Sequence, residues 1–232
     1  MALKNATLKT HKDLTHDVFE LTFETEDEIS FQAGQFITIK IGDQLPPCFR
    51  AYSIASSPIE NGKEFKLCIK TVPGGRGSKW LGELKKGDQI NFIGPNGHFT
   101  HKGEKALSFF IATGTGIAPF TSMIEDQIKQ KSGQKMKLLF GVRHNSDIFY
   151  QDWLQELSEN GLLESIVTLS KPEDQDWKGS IGRVTNVLKE IDLDAENTEF
   201  YICGLKDMID EVVEILKAKG VPEDSINFEK YD

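Results

Sequence analysis

Hydrophobic positions recur every second residue along several short stretches of the first part of the chain. They are Val18-Phe19-Glu20-Leu21-Thr22-Phe23, Gln35 to Ile41, Phe65 to Lys70 and Gln89 to Ile93. Period-two alternation marks strands with one buried face. Clusters of Gly, Pro, Asn and Asp separate these runs at intervals of roughly ten to twenty residues, which predicts an antiparallel barrel or sandwich.

After about Thr100 the pattern changes. Ala106-Leu-Ser-Phe-Phe-Ile111 is a near-continuous apolar run, as expected of a parallel strand buried on both faces. A Gly-rich turn and a helix-like segment from Phe120 to Lys131 follow it. The alternation of apolar runs and helical periods then continues. Lys137 to Phe140 precedes the helical Gln151 to Glu159; Glu164 to Leu169 precedes Val184 to Glu190; and Glu199 to Ile202 precedes Gly204 and the helical Lys206 to Lys219. Strands alternating with helices predict βαβ units and a doubly wound parallel sheet. The polar stretch His101 to Lys105 suits a linker, giving expected domains of residues 1–101 and 102–232.

Composition removes several classes of function. With 38% hydrophobic and 27% charged residues the chain has ordinary globular usage, which excludes disordered and fibrous proteins. No run approaches the roughly 18 apolar residues of a spanning helix. The opening Met1 to Thr7 lacks the apolar core of a secretory signal, so a cytoplasmic protein without a membrane partner is expected. The net charge of −9 opposes nucleic-acid binding by counterion release. Cys48, Cys68 and Cys203 are odd in number and widely spaced, against both a disulfide framework and an iron–sulfur cluster, which needs about four thiolates. No histidine has metal-ligand spacing, and no metal is expected. His98 and His144 lack a neighbouring acidic partner in the sequence and read as solvated loop residues.

Thr113-Gly-Thr-Gly-Ile-Ala-Pro119 directly follows the apolar run and opens a helix. Glycines there let the backbone approach a pyrophosphate, and free N–H groups at the helix start bind the anion. Pro119 falls where a missing N–H costs nothing, although the ordinary dinucleotide fingerprint has a third glycine at that point. In the barrel half, Arg50 can fork onto a diphosphate, Tyr52 can lie on a flavin ring, and Ser53 can donate to a ring nitrogen. Singly, each also fits a surface or core position. Pro73 to Leu81 offers glycines, a hydroxyl and a helix start, a second anion nest. Two nests, one per domain, imply two phosphate-bearing ligands.

In this order the motifs resemble those of the ferredoxin–NADP reductase superfamily over essentially the whole chain. They are Arg50-Ala-Tyr-Ser53, Gly75-Arg-Gly-Ser78 with Leu81, Gly94-Pro-Asn-Gly-His-Phe99, Gly114-Thr-Gly-Ile-Ala-Pro119 and Cys203-Gly204. The resemblance implies a Greek-key β-barrel that binds FAD, then an α/β doubly wound sheet that binds NAD(P). It implies an enzyme passing a hydride from NAD(P)H to FAD and electrons onward. Arg50 would grip the FAD pyrophosphate, Tyr52 would pack on the isoalloxazine, Ser53 would bond near its N5, and Gly77 and Ser78 would hold the diphosphate from the second nest.

The family pattern also implies that Thr115 lies between flavin and nicotinamide and that Cys203 sits near the nicotinamide C4. A buried cysteine acting as a small apolar residue is the alternative. Ser53, Cys203 and Glu229 are thus the expected catalytic residues. Ala51, Ile69, Thr71 and Gly75 would add to the flavin site, and Thr113, Gly114, Gly116, Pro119, Arg143 and Gly204 to the nucleotide site. Tyr231 either covers the flavin until nicotinamide displaces it or belongs to a frayed end.

Ser170, Lys171 and Arg183, in the region of Trp177 and Gly179 to Gly182, favour NADPH over NADH by resemblance, although Lys lacks the fork of the more usual Arg. A small carrier such as ferredoxin or flavodoxin is the expected acceptor, and the chain is expected to be a monomer. The alternatives are a reductase of free flavin and the electron-transfer subunit of a multicomponent oxygenase.

Overall fold

A computed structural model describes residues 3–43, 45–58, 62–174 and 176–231. They form two compact units, one of residues up to His101 together with Ala118–Asp126, the other of Lys102–Ile117 and Gln127 onward.

The first unit is built on six antiparallel strands: β1 (Lys4–Asp13), β2 (Val18–Glu24), β3 (Phe36–Ile41), β4 (Cys48–Ser53), β5 (Glu64–Lys70) and β6 (Gln89–Asn96). Their order is β4-β3-β6-β1-β2-β5. Just past β4, Ile54 bridges Leu67 of β5, and the Ala55 N–H donates to the Lys66 carbonyl at 2.8 Å. The two edge strands therefore meet and the sheet curls into a barrel, which leaves no long edge open to foreign strands. Alternation sorts the side chains: Ile37, Ile39 and Ile41 of β3 turn inward, between the more accessible Thr38 and Lys40. Phe65 lies at the centre of the barrel, its ring 5.5 Å from those of both Phe23 and Phe92. Burying each such side chain contributes about 1.5–3 kcal/mol. Between β5 and β6, helix α1 (Arg76–Gly82) drops Leu81 into this core.

The second unit holds a parallel sheet of β7 (Leu107–Thr113), β8 (Lys135–Val142), β9 (Glu164–Leu169), β10 (Ser180–Ile181), β11 (Thr198–Leu205) and β12 (Ile226–Tyr231). The helices that follow the barrel are α2 (Ala118–Lys129), α3 (Gln151–Glu159), α4 (Val184–Glu190) and α5 (Lys206–Ala218). The central strands β7 and β11 are buried almost throughout, as their continuous apolar runs require. No helix among the described residues is long and apolar enough to cross a membrane.

Sheet order β10-β9-β8-β7-β11-β12 fixes where a ligand can enter. From β7 the chain steps outward through β8, β9 and β10, then crosses to the other side of β7 for β11 and β12. The reversal between β7 and β11 opens a crevice outside their carboxyl ends, the position at which doubly wound sheets bind ligands.

Candidate functional site

Two peptide segments line that crevice. Thr113 ends β7 and runs into a tight 3-10 turn, Gly114–Ile117, before α2. Gly114 has a φ of +52° with open space where a Cβ would stand. Gly116 is the opposite case, since a Cβ there would overlap the Cys203 carbonyl on β11. Only glycine lets the turn lie this close to the end of β11, while the open space at Gly114 leaves the backbone there approachable by a pyrophosphate. Pro119 is buried in the first turn of α2, where its missing N–H costs little.

Cys203 pairs in register with Glu229 of β12, and Leu205 with Tyr231. Tyr231 ends β12 in register with Leu205, so it is a member of that strand rather than a frayed end. Cys203 is fully buried. Burial is the larger cause, and the nearby Glu229 carboxylate the next, that push its thiol well above the ordinary 9.0. Cys203 is therefore a neutral thiol, not a nucleophilic thiolate.

At the other side of the same sheet end, the loops after β8 and β9 are tied together. Lys171 donates its N–H to the Arg143 carbonyl at 2.8 Å, and Ser170 donates to Val142 at 3.1 Å. Arg183 stands just before α4, and the N–H of the preceding Gly182 reaches the Leu169 carbonyl at 2.8 Å. The structure thus brings Arg143, Ser170, Lys171 and Arg183 to neighbouring strand ends, all exposed. Trp177 props this edge, its Nε1 donating to the Ser180 carbonyl at 2.9 Å.

His144 differs from the sequence expectation. Its Nδ1 lies 2.8 Å from the Lys171 carbonyl and 3.2 Å from Glu173 Oε1, and its backbone N–H donates to Asp147 Oδ2 at 2.9 Å. It braces the loop that carries Lys171 instead of lying free in solvent. Asp147, three residues on, was the available sequence signal; Glu173 reaches it only through the fold. His98 is exposed.

On the barrel, β4 turns Arg50 and Ala51 to the surface and leaves Tyr52 half-buried and Ser53 buried. Gly77 of α1 sits against this strand: a Cβ there would stand 2.7 Å from the Tyr52 hydroxyl and 3.0 Å from Arg50 Cγ. Only glycine lets α1 lie this close to β4, which sets the exposed Arg50 beside the Gly75-to-Ser78 turn, a pairing of guanidinium and turn suited to a diphosphate. Burial pushes the Tyr52 hydroxyl up to about 12, with the Arg50 charge acting the other way, so Tyr52 stays a neutral donor.

Ser78 shapes the turn. Its hydroxyl accepts from the Val72 N–H at 3.0 Å and lies 3.5 Å from the Gly75 carbonyl. Ile69 points into the barrel core at 2% exposure, leaving only its backbone to the neighbouring surface. Thr71 is exposed, with its N–H donating to Asp17 at 2.7 Å.

Comparison with known proteins agrees with this geometry. Residues 5–101 match the family described as the oxidoreductase FAD-binding domain, and residues 110–214 the oxidoreductase NAD-binding domain. The chain is 33% identical to ferredoxin–NADP reductase B of Sorangium cellulosum, covering 98% of this chain and 97% of that one. It is 32% identical to one subunit of the Na(+)-translocating NADH-quinone reductase of Psychrobacter cryohalolentis, covering 93% of this chain but spanning only 57% of that protein's length. Among solved structures, the ferredoxin reductase in carbazole 1,9a-dioxygenase superposes with a TM-score of 0.89 at 30% identity, covering 100% of this chain and 70% of that one. The chain belongs to the ferredoxin–NADP reductase superfamily and is an FAD-dependent NAD(P)H oxidoreductase that transfers electrons.

Proposed function

We propose that the protein is a cytoplasmic NADPH reductase holding FAD on residues 1–101 and nucleotide on residues 102–232, and serving a small carrier such as ferredoxin or flavodoxin. The observation that carries the nucleotide preference is the gathering of Arg143, Lys171 and Arg183 at adjoining strand ends. A ribose 2′-phosphate brings nearly two negative charges, and three exposed cations in one place match it better than they match a bare ribose.

FAD, when bound, would supply the hydride and electron-transfer chemistry between nucleotide and carrier. The chain supplies orientation. Arg50 and the N–H groups of the Gly75-to-Ser78 turn hold the FAD diphosphate, with Ala51, Ile69 and Thr71 bordering the site by backbone or surface contact. Tyr52 packs on the ring and, as a neutral phenol, adds no charge beside it. Ser53 donates a hydrogen bond at N5, and Glu229 takes part at the reacting centre. The Thr113-to-Gly116 turn, Pro119 and Gly204 seat the nucleotide pyrophosphate. Thr115 would face the nicotinamide, and Cys203 would present a small apolar thiol to it. Tyr231 would cover the flavin and give way to nicotinamide. The working unit is a monomer.

The 32% identity, over 93% of this chain, to a subunit of an NADH-quinone reductase favours a second reading, an electron-transfer part of a larger assembly that uses NADH. Reduction of the purified protein by NADPH and by NADH, followed by a screen of carriers, separates the two. NADPH preference with ferredoxin or flavodoxin reduction supports the first; NADH preference with a co-purifying partner supports the second. Loss of yellow colour on gel filtration would instead mark a reductase of free flavin.

A further inference from the structure

Helix α2 carries three polar side chains that grip the chain just beyond Ser53. The Ser122 hydroxyl donates to the Ser56 carbonyl at 2.6 Å. The Thr121 hydroxyl lies 2.7 Å from the Ala55 carbonyl and 2.8 Å from that of Ala118, one proton shared between two acceptors. Glu125 Oε2 accepts from the Ser57 N–H at 3.4 Å. Thr121 and Ser122 are 3% and 0% exposed, and Ala55, Ser56 and Ser57 are buried with them. All of these residues belong to the first compact unit.

A helix interior has no need of these hydroxyls. Buried backbone carbonyls, on the other hand, must find donors. The strand side is held in the same manner: the Ala55 N–H reaches the Lys66 carbonyl at 2.8 Å, and the Ser56 hydroxyl accepts from the Lys66 N–H at 3.1 Å. Residues 55–57 are therefore fixed on one side by β5 and on the other by α2. That helix begins directly after the Gly114–Ile117 turn.

We infer that Thr121 and Ser122 are positioning residues for flavin reduction, clamping the segment that follows Ser53 to the helix that follows the nucleotide turn. The inference rests on the proposed roles of Ser53 and of that turn. Neither hydroxyl touches a ligand; each acts by fixing the backbone two or three residues from Ser53. A misplacement of about 1 Å between reacting groups costs up to about a hundredfold in rate, so a slackened clamp is expected to appear in the limiting rate before it appears in nucleotide affinity.

The test uses the protein as purified with its flavin, in four forms: wild type, Thr121→Val with Ser122→Ala, Ser122→Ala alone, and Thr121→Ser. Two quantities are read, the amide hydrogen exchange of residues 53–57 and the rate of flavin reduction against nucleotide concentration. The double variant should exchange about tenfold faster over residues 53–57, with exchange in β8 and β9 unchanged. Its limiting reduction rate should fall about tenfold, on the scale a sub-ångström misplacement allows, with the half-saturating nucleotide concentration within about twofold of wild type. Thr121→Ser, which keeps the hydroxyl, should behave as wild type. Should the double variant be too unstable to purify, Ser122→Ala alone carries the same expectation at smaller size. Wild-type exchange over residues 53–57, a wild-type limiting rate, or a Thr121→Ser variant as slow as the double variant each overturns the inference. If the wild type is not reduced by either nucleotide, the functional reading is at fault, and the exchange measurement still decides whether the clamp exists.

Discussion

The backbone N–H of Lys171 donates to the carbonyl of Arg143 at 2.8 Å, across the carboxyl ends of neighbouring strands. This bond brings together two cations far apart in sequence, and α4 adds Arg183 beside them. Replacing Lys171 and Arg183 by Ala is expected to raise the Michaelis constant for NADPH by about tenfold or more, since each charged hydrogen bond contributes about 1.5–3 kcal/mol. The value for NADH should stay nearly unchanged. Added salt should act in the same direction on the wild type, because exposed contacts are screened over about a Debye length. Steady-state kinetics with both nucleotides on both proteins checks this.

Arg50 lies on the surface of β4, packed against Gly77 of α1. Arg50→Ala should weaken FAD retention roughly tenfold to a hundredfold, the equivalent of one charge-assisted contact, and leave the second unit folded. Flavin content after dialysis, with circular dichroism as the folding control, gives the answer; unchanged occupancy would remove Arg50 from the site.

Ser53 is buried at 5% exposure at the end of β4. If its hydroxyl acts mainly in the transition state, Ser53→Ala lowers the limiting rate of flavin reduction and leaves nucleotide binding alone. Stopped-flow reduction at saturating NADPH distinguishes that from a purely structural serine, for which the limiting rate would not change.

For Cys203 the pH dependence has a defined sign. Folding raises its pKa well above the ordinary 9.0 through burial and then Glu229, so the unfolded chain loses this proton first. The stability carried by the neutral thiol is complete below about pH 9 and declines as pH rises beyond it. Wild type should therefore lose more stability than Cys203→Ala between neutral and strongly alkaline pH in denaturant titrations. At neutral pH the native thiol should resist alkylation, and rapid modification would contradict its burial.

The strongly patterned parts of both units were legible in the sequence. Ile37, Ile39 and Ile41 announce β3 by alternation, and Ala106 to Ile111 announces β7 by continuity. The weakly patterned parts were not. β1 buries only Ala6 and Leu8 among its ten residues, and β4 keeps Phe49, Arg50 and Ala51 exposed, so neither carries a clear period. β10 is two residues long, too short for any pattern. At the sites, the glycine turns could be read locally because a backbone requirement lies within one segment. The bracing of Lys171 by His144 and the grip of Thr121 and Ser122 on Ala55 and Ser56 join segments distant in sequence, and hydroxyl residues in a helix give no local sign of such partners.

The most direct test of the whole account is an anaerobic titration of the purified, flavin-containing protein with NADPH, and in parallel with NADH, followed by the visible absorbance of the flavin. The protein should be yellow, its absorbance should bleach stoichiometrically at lower NADPH than NADH concentrations, and the colour should return when oxidised ferredoxin or flavodoxin is added. A protein that carries no flavin, or whose bound flavin keeps its colour with both nucleotides, contradicts the account.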